Sequence, residues 1–211
     1  MEVPNRLPWV WGATAEEIAA SYPCATVLDG ERMTVLRAVT IAASTDLTYD
    51  WLCQTKLAPY SFDLIDNLGR RSPSRRTPGA APIRVGEHVM VFKCVQSEPG
   101  REWTGISLPT AERIFGPMAA TYRVRALPDG SSRLICRLDL ITGSSPIARV
   151  RAGALAWGDL PMMRQQLRRL KRYAERDASA RCAAQGPSAV CRIRPAGSGD
   201  RVTTPSRPSA T

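Results

Sequence analysis

"GALAWGDLPMMRQQLRRLKRYAERDA", residues 153–178, carries the strongest periodic pattern in the chain. Its apolar residues recur every three or four positions, and arginine and lysine fill the opposite side, as in an amphipathic helix that covers a core. Pro161 suits a helix only near its start, where a missing amide hydrogen costs nothing. We therefore predict a long C-terminal helix with Pro161 in its first turn. Its core-facing positions are Leu160, Met163, Leu167, Leu170 and Ala174.

Strand-like runs separated by turn signals precede this helix. "HVMVFKCV" (88–95) and "EWTGISL" (102–108) are interpreted as strands, and "PTAERIFGPM" (109–118) as a connection. The hairpin around the turn "PDG" (128–130) alternates apolar and charged residues, which predicts an antiparallel sheet with one covered face and one face in water. The covered positions are Tyr122, Val124, Ala126, Leu134, Cys136, Leu138 and Leu140, and the wet ones are Arg123, Arg125, Arg137 and Asp139.

The first half of the chain supplies another strand and short helices. "RMTVLRAVTIAA" (32–43) alternates like a strand, with Arg37 interrupting its apolar face. Thr14 and Glu17 form a capping-box pattern at the start of one helix, and residues 44–54 form another. The element order predicts an α+β fold in which a curved antiparallel sheet wraps around the long C-terminal helix and leaves a gap between them.

Composition divides the chain into three parts. Residues 1–31 are predicted to be an N-terminal extension with a short helix, and residues 32–178 the main domain. Residues 179–211 are rich in serine, proline, glycine, alanine and arginine and lack periodicity. Such a segment cannot bury enough apolar surface to offset its ordering entropy, so we predict a disordered basic tail.

Several classes of function find no support in the sequence. The six cysteines are scattered without a C-x-x-C pair and His88 is the only histidine, so we expect no metal and no cofactor. The net charge of +10 raises nucleic acid as a partner, but no recognition motif accompanies it, and we interpret the charge as solvated faces. No apolar run is long enough to span a membrane and no signal peptide is evident, so we expect a cytoplasmic location.

"APYSFDLIDNLGRRSP" (58–73) gathers polar groups in a short span. Ser61 is placed as an N-cap, Asp63 lies in the first turn, where a negative charge favours the helix dipole, and Gly69 is placed as a C-cap. The stretch is thus a capped helix of about two turns. Capping and pairing account for much of its polarity. The alternative is that the helix forms a polar lip of a ligand pocket.

Three stretches together resemble the START-like, or SRPBCC, superfamily with its helix-grip fold: residues 58–73, the strands "EPGREWTGISL" (98–108) with "LPDGSSRLICRLDL" (127–140), and "GDLPMMRQQLRRLKRYAE" (158–175). The first stretch is similar to actinobacterial members of uncharacterised function. The resemblance implies a cavity between sheet and helix that holds an apolar small molecule. It does not choose among transport, ligand sensing and cyclisation, which this superfamily combines on one scaffold.

The resemblance makes several residues candidates for the lining of that cavity, although core packing is the simpler interpretation of each one. The candidates are Trp51, Tyr60, Asp63, Asn67, Phe92, Trp103, Tyr122, Leu138, Trp157, Met162 and Met163.

Two functions follow from the resemblance, and the sequence leaves enzymatic activity and oligomeric state open. The first is a carrier or sensor of a hydrophobic lipid or polyketide-like molecule. The alternative is a polyketide cyclase, aromatase or dehydratase, with Asp63 as the base and Tyr60 or Arg71 orienting the substrate or stabilising an enolate. The basic outer face of the long helix could also bind an acidic protein or nucleic acid, but a face exposed to solvent is the simpler interpretation. That face carries Arg164, Arg168, Arg169, Lys171 and Arg172.

Overall fold

One mixed sheet and one long helix dominate the computed structural model, which describes residues 3–62, 69 and 71–185. Within this part of the chain the sheet has seven strands in the order β1-β2-β7-β6-β5-β4-β3. Neighbouring strands are antiparallel except β1 and β2, which are parallel. The strands are β1 Val10–Trp11, β2 Arg32–Ile41, β3 His88–Val89, β4 Phe92–Glu98, β5 Glu102–Ser107, β6 Met118–Ala126 and β7 Ser132–Ile141.

Four α-helices complete the described part of the chain, and none of them is long and apolar enough to cross a membrane. The longest helix packs against β2, β7 and the second helix, and its core positions join those of the sheet's inner face in one buried cluster. This arrangement confirms the predicted α+β class and the helix-grip architecture. The helices are α1 Ala15–Ala19, α2 Thr45–Cys53, α3 Pro109–Phe115 and α4 Pro146–Gln185.

Helix α4 is longer at both ends than the sequence pattern predicted. It begins at Pro146, so Pro161 lies inside the helix and the prediction of a first-turn proline is wrong. Pro161 is exposed, and water can therefore reach the carbonyl of Trp157 that the proline leaves without an intrahelical donor. The helix also continues to Gln185, past the predicted start of the tail at residue 179. Residues 186–211 lie outside the described part.

Two other local predictions need correction. "HVMVFKCV" is not one strand, because the chain turns back at Met90 and Val91 and pairs His88–Val89 with β4. Met90 adopts a positive φ of 54°, which is typical of a tight turn. The connection after β5 forms helix α3, which starts with Pro109 in its first turn.

Much of the outer face of the sheet is covered, although the alternation predicted it to be wet: Asp139 is buried and Arg123 and Arg137 are half-buried, whereas Arg125 is exposed as predicted. The N-terminal segment lies across it, with the ring of Tyr22 4.5 Å from the guanidinium of Arg123 and 5.6 Å from that of Arg137. Residues 3–31 therefore pack on the main domain and also supply strand β1. A second small core lies beneath this segment and consists of Tyr22, Cys24, Ala38, Ala119 and Ile135.

A buried ion pair fastens this N-terminal cover. Glu17 accepts hydrogen bonds from Nε of Arg133 at 2.8 Å and from Nη2 at 2.6 Å. Its carboxylate also accepts from the amide of Thr14, which completes the predicted capping box. Burial alone would raise the pKa of Glu17, but the hydrogen bonds from Arg133 and Thr14 outweigh it and lower the pKa below its ordinary value of 4.5. Arg133 also donates to Gly12, so a single guanidinium joins β7 to the N-terminal segment.

We expect Glu17→Gln to lower the free energy of unfolding by about 3 kcal/mol at neutral pH, because it leaves the buried Arg133 without its counter-ion. Since the pKa of Glu17 is lowered in the folded state, this loss should shrink as the pH falls below about 4.5. Urea unfolding measures both effects. Glu16→Gln is the matched control, because Glu16 is exposed on the same helix. Equal unfolding midpoints for the two variants would contradict the assignment.

Candidate functional site

A row of four side chains crosses the inner face of the sheet beneath α4. The strand register pairs Arg37 with Cys136, Cys136 with Tyr122, and Tyr122 with Trp103. We call these four residues the inner row. Its ends lie three strand spacings apart, about 14 Å. Apolar pairs border it on both sides, so these polar groups lie within an otherwise apolar surface. The bordering residues are Val35, Val39, Ala120, Val124, Leu134 and Leu138.

Arg37 belongs to this face and does not merely interrupt it. The residue is 1% exposed, and its guanidinium donates to the carbonyls of Trp9 at 2.9 Å, Leu36 at 3.0 Å and Ala156 at 3.4 Å. Nη2 also lies 3.5 Å from Oδ2 of Asp159 on α4. Burial lowers the pKa of Arg37, and the nearby Asp159 carboxylate partly opposes this shift.

Asp159 is an acidic group of α4 that lies against the inner row. Its side chain is 17% exposed. Burial raises the pKa of Asp159 to about 6, and the attraction of Arg37 only partly offsets that effect. Burial, together with the charge of Asp159, also raises the pKa of the Cys136 thiol. The thiol is therefore held in its protonated form, unlike an activated nucleophile.

Tyr122 and Trp103 form the other end of the row. The hydroxyl of Tyr122 donates to Oε1 of Gln166 at 3.0 Å and lies 3.4 Å from Sδ of Met163. Gln166 in turn donates to the carbonyl of Pro59 at 2.5 Å, which links α4 to the chain after α2. The ring of Trp103 stacks on that of Tyr122 with 4.9 Å between centroids and 10° between planes.

Three buried polar atoms along or against the inner row have no hydrogen-bond partner in the described part of the chain. They are Nε of Arg37, Oδ2 of Asp159 and Nε1 of Trp103. A buried polar group left in this state costs about 1–3 kcal/mol, so each of these atoms needs an explanation such as strain, a catalytic role, or a bound water, ion or ligand. Two of these atoms are donors and one is an acceptor.

The structure brings most of the predicted lining residues together and separates one of them. One buried cluster contains Trp51, Phe92, Trp103, Tyr122, Leu138 and Met163. Met162 is half-buried. Trp157 is 58% exposed, which contradicts its placement between sheet and helix. Residue type alone favours a core position for this tryptophan, but Trp157 lies off the buried face of α4.

The structure describes only some of the residues that were predicted to form the polar edge of the ligand pocket. Tyr60 is buried among aromatic rings, with its centroid 6.2 Å from that of Trp51 and 6.2 Å from that of Tyr173. Arg71 is exposed. Asp63 and Asn67, and with them the predicted helix 61–69, lie outside the described residues. The two described members, Tyr60 and Arg71, thus occupy different environments.

A separate cleft of about 250 Å³ opens beside the 72–82 loop. Arg76 forms ion pairs there with Asp50 at 2.5 Å and Asp177 at 3.6 Å. Gln54 exchanges hydrogen bonds with the backbone of Thr77 and fixes the loop against α2. The cleft is lined by charged or amide side chains and by small or apolar residues: Asp50, Gln54, Arg76, Thr77, Pro78, Gly79 and Ala81.

The sequence indicates which face of its strand each inner-row residue occupies, but not how the strands align with one another. The alternation placed Tyr122 and Cys136 on the covered face, and the parity of β2 placed Arg37 on the same face as Val35 and Val39. The register that aligns these residues, and the approach of Asp159, depend on contacts between distant segments.

Comparisons with known proteins give low-identity matches to solved structures. The di-domain ARO/CYC StfQ from the steffimycin biosynthetic pathway is 14% identical, with a TM-score of 0.44 over 69% of this chain and 52% of that chain. Protein SA2116 of unknown function from Staphylococcus aureus is 8% identical, with a TM-score of 0.49 over 72% and 98%. Ara h 8.0201 is 10% identical, with a TM-score of 0.42 over 68% and 98%. No protein-family model and no curated protein matches the chain.

The raised pKa of Asp159 predicts how stability depends on pH. An acid whose pKa is raised by folding stabilises the fold below its ordinary value of 3.8, and the contribution is lost as the pH rises through about 6. Relative to Asp159→Asn, the wild-type chain should therefore lose about 3 kcal/mol of unfolding free energy between pH 4 and 7. Urea unfolding across this range measures the difference, with Asp46→Asn as an exposed control. A pH-independent difference would refute the shift.

Proposed function

We propose that the chain binds an apolar small molecule that carries oxygen groups, along the inner row between the sheet and α4, and acts as its carrier or sensor. One observation supports this most directly. Buried atoms of Arg37, Asp159 and Trp103 that have no hydrogen bond within the described residues lie in an otherwise apolar surface. A ligand that satisfies them would recover the free energy that their burial costs.

The chemistry of these atoms limits the ligand class. Arg37 and Trp103 offer donors and suit carbonyl, ether or hydroxyl oxygens, whereas Asp159 accepts and suits a hydroxyl group. Arg37 and Trp103 lie about 14 Å apart along the row, which suits an elongated body with oxygen groups towards both ends. Leu134, Leu138 and their neighbours would contact its apolar part. Oxygenated lipids and polyketide-like molecules have this character.

A second candidate function rests on the pKa of Asp159, which burial raises to about 6. A carboxylate that titrates near neutral pH suits general acid-base catalysis. In a cyclase- or dehydratase-type reaction Asp159 would take a proton from a carbon next to a carbonyl group. Arg37, 3.5 Å away, would stabilise the resulting enolate. In this proposal Asp159 takes the role of base that the sequence analysis gave to Asp63, and Arg37 takes the role that it gave to Tyr60 or Arg71.

Binding of naphthol and naphthalene tests the carrier proposal, since the two differ by one hydroxyl group. The full-length chain should bind naphthol at least about tenfold more tightly, because a hydrogen bond to a charged group is worth about 1.5–3 kcal/mol. Asp159→Asn should reduce this preference at pH 8, whereas the exposed control Asp46→Asn should keep it. Fluorescence titration measures both affinities. Equal affinities in the wild-type chain, or no binding of either compound, would refute the proposal.

The catalytic candidate predicts proton exchange without net reaction. In deuterated buffer the chain should exchange the hydrogens next to the carbonyl of tetralone faster than buffer alone, with a rate that rises as the pH passes through about 6. Asp159→Asn should abolish the acceleration and Asp46→Asn should not. Proton NMR follows the exchange. Binding of naphthol without accelerated exchange would favour the carrier function and reject the catalytic one.

A further inference from the structure

The outer face of α4 carries a continuous stripe with two chemically different halves. Residues 147, 150, 154, 157, 161, 168 and 172 are spaced by three, four or seven positions and therefore share one side of the helix. We call this the outer stripe. Its apolar half is Ile147, Val150, Ala154 and Trp157, and its basic half is Arg168 and Arg172.

The apolar half is unusually open to solvent. Ile147 is 82% exposed, Val150 74% and Trp157 58%. An exposed cluster of large apolar side chains, unlike single exposed residues, commonly marks a contact surface. Helix α3, which contacts α4, also exposes two large apolar side chains, Ile114 and Phe115.

Helix α3 meets α4 at the apolar half. A Cβ on Gly116, the residue that ends α3, would lie 2.3 Å from Nη2 of Arg151. This close approach, together with the positive φ of 85°, explains the glycine. It also brings the side chain of Arg151 beside the exposed apolar residues. Arg113 on α3 and Arg149 on α4 are also exposed, and Arg149 pairs with Glu31 at 2.8 Å.

The basic half continues the same line. Arg168 lies 5.7 Å from the ring of Trp11, and Arg172 lies 5.3 Å from the ring of Tyr173. Both residues are exposed. From Ile147 to Arg172 the stripe extends over about 38 Å at the rise of an α-helix. A flat surface can therefore touch both halves at once.

We propose that the outer stripe docks the protein on an anionic lipid surface. Ile147, Val150 and Trp157 would enter the boundary between headgroups and acyl chains, where tryptophan is favoured, and Arg168 and Arg172 would contact lipid phosphates. The net charge of +10 favours an anionic surface and opposes contact with a second copy of the chain. This inference is independent of the proposed function, since the inner row faces the opposite side of α4.

Flotation of the full-length chain with lipid vesicles tests the proposal. The chain should bind vesicles that contain about one-third phosphatidylglycerol and bind pure phosphatidylcholine vesicles weakly. The double variant Ile147→Ser/Val150→Ser keeps every charge, including those of residues 186–211, and should reduce the bound fraction at least about tenfold. Val85→Ser changes another exposed apolar residue and should bind like the wild-type chain. Circular dichroism checks that the variants are folded.

Fluorescence quenching provides a second, local readout. Brominated acyl chains in the same vesicles should quench tryptophan emission in the wild-type chain, and Trp157→Phe should remove most of that quenching. Binding of the double variant at the wild-type level would overturn the proposal, since charge alone would then account for adsorption. Sedimentation that shows a dimer in the wild-type chain and a monomer in the double variant would also overturn it and make a second copy the occupant.

Discussion

Helix α4 is held against the sheet through the buried guanidinium of Arg37. Arg37 lies near the middle of β2 and donates to the backbone of Trp9, of Leu36 and of Ala156, so it joins the N-terminal segment, the sheet and the long helix. A buried guanidinium must have such partners, because removing it from water is costly. Sliding α4 along the sheet would break the bond to Ala156 and separate Arg37 from Asp159. Arg37 therefore helps to fix the register of α4, together with the bond from Tyr122 to Gln166 at 3.0 Å and the bond from Lys171 to the carbonyl of Thr40 at 2.7 Å.

The sequence predicted the elements of this fold better than their assembly. Local rules suffice for the capping box of Thr14 and Glu17 and for the alternation in β2, β6 and β7, and those elements are confirmed. The sequence predicts which face of β2 carries Arg37, but it does not predict the partners of the Arg37 side chain. Its partner Asp159 is distant in sequence, and nothing in either segment alone indicates the other. A charged residue on an apolar face was therefore interpreted as an interruption.

The same limit explains the outer face of the sheet. Arg133, Arg137 and Asp139 alternate with apolar residues in β7, and a charged alternating face is usually wet. Here Glu17 pairs with Arg133, and Thr34 donates to Asp139, so the charges are buried under the N-terminal segment. The sequence shows which residues of β7 are charged, but it does not show that groups in distant segments will pair with them. In the candidate site, likewise, residue type predicted the buried aromatic residues correctly but misplaced Trp157, whose exposure depends on where α4 begins.

The two surfaces of α4 meet in one turn of the helix. Trp157 points outward in the apolar half of the outer stripe, and Asp159, two residues later, faces Arg37. Pro161 ends this turn and leaves the carbonyl of Trp157 without an intrahelical donor. The backbone hydrogen bonding of α4 is thus weakest where the proposed lipid contact and the proposed ligand contact are adjacent. The two proposed contacts therefore lie two residues apart in sequence and on opposite sides of the same helical turn.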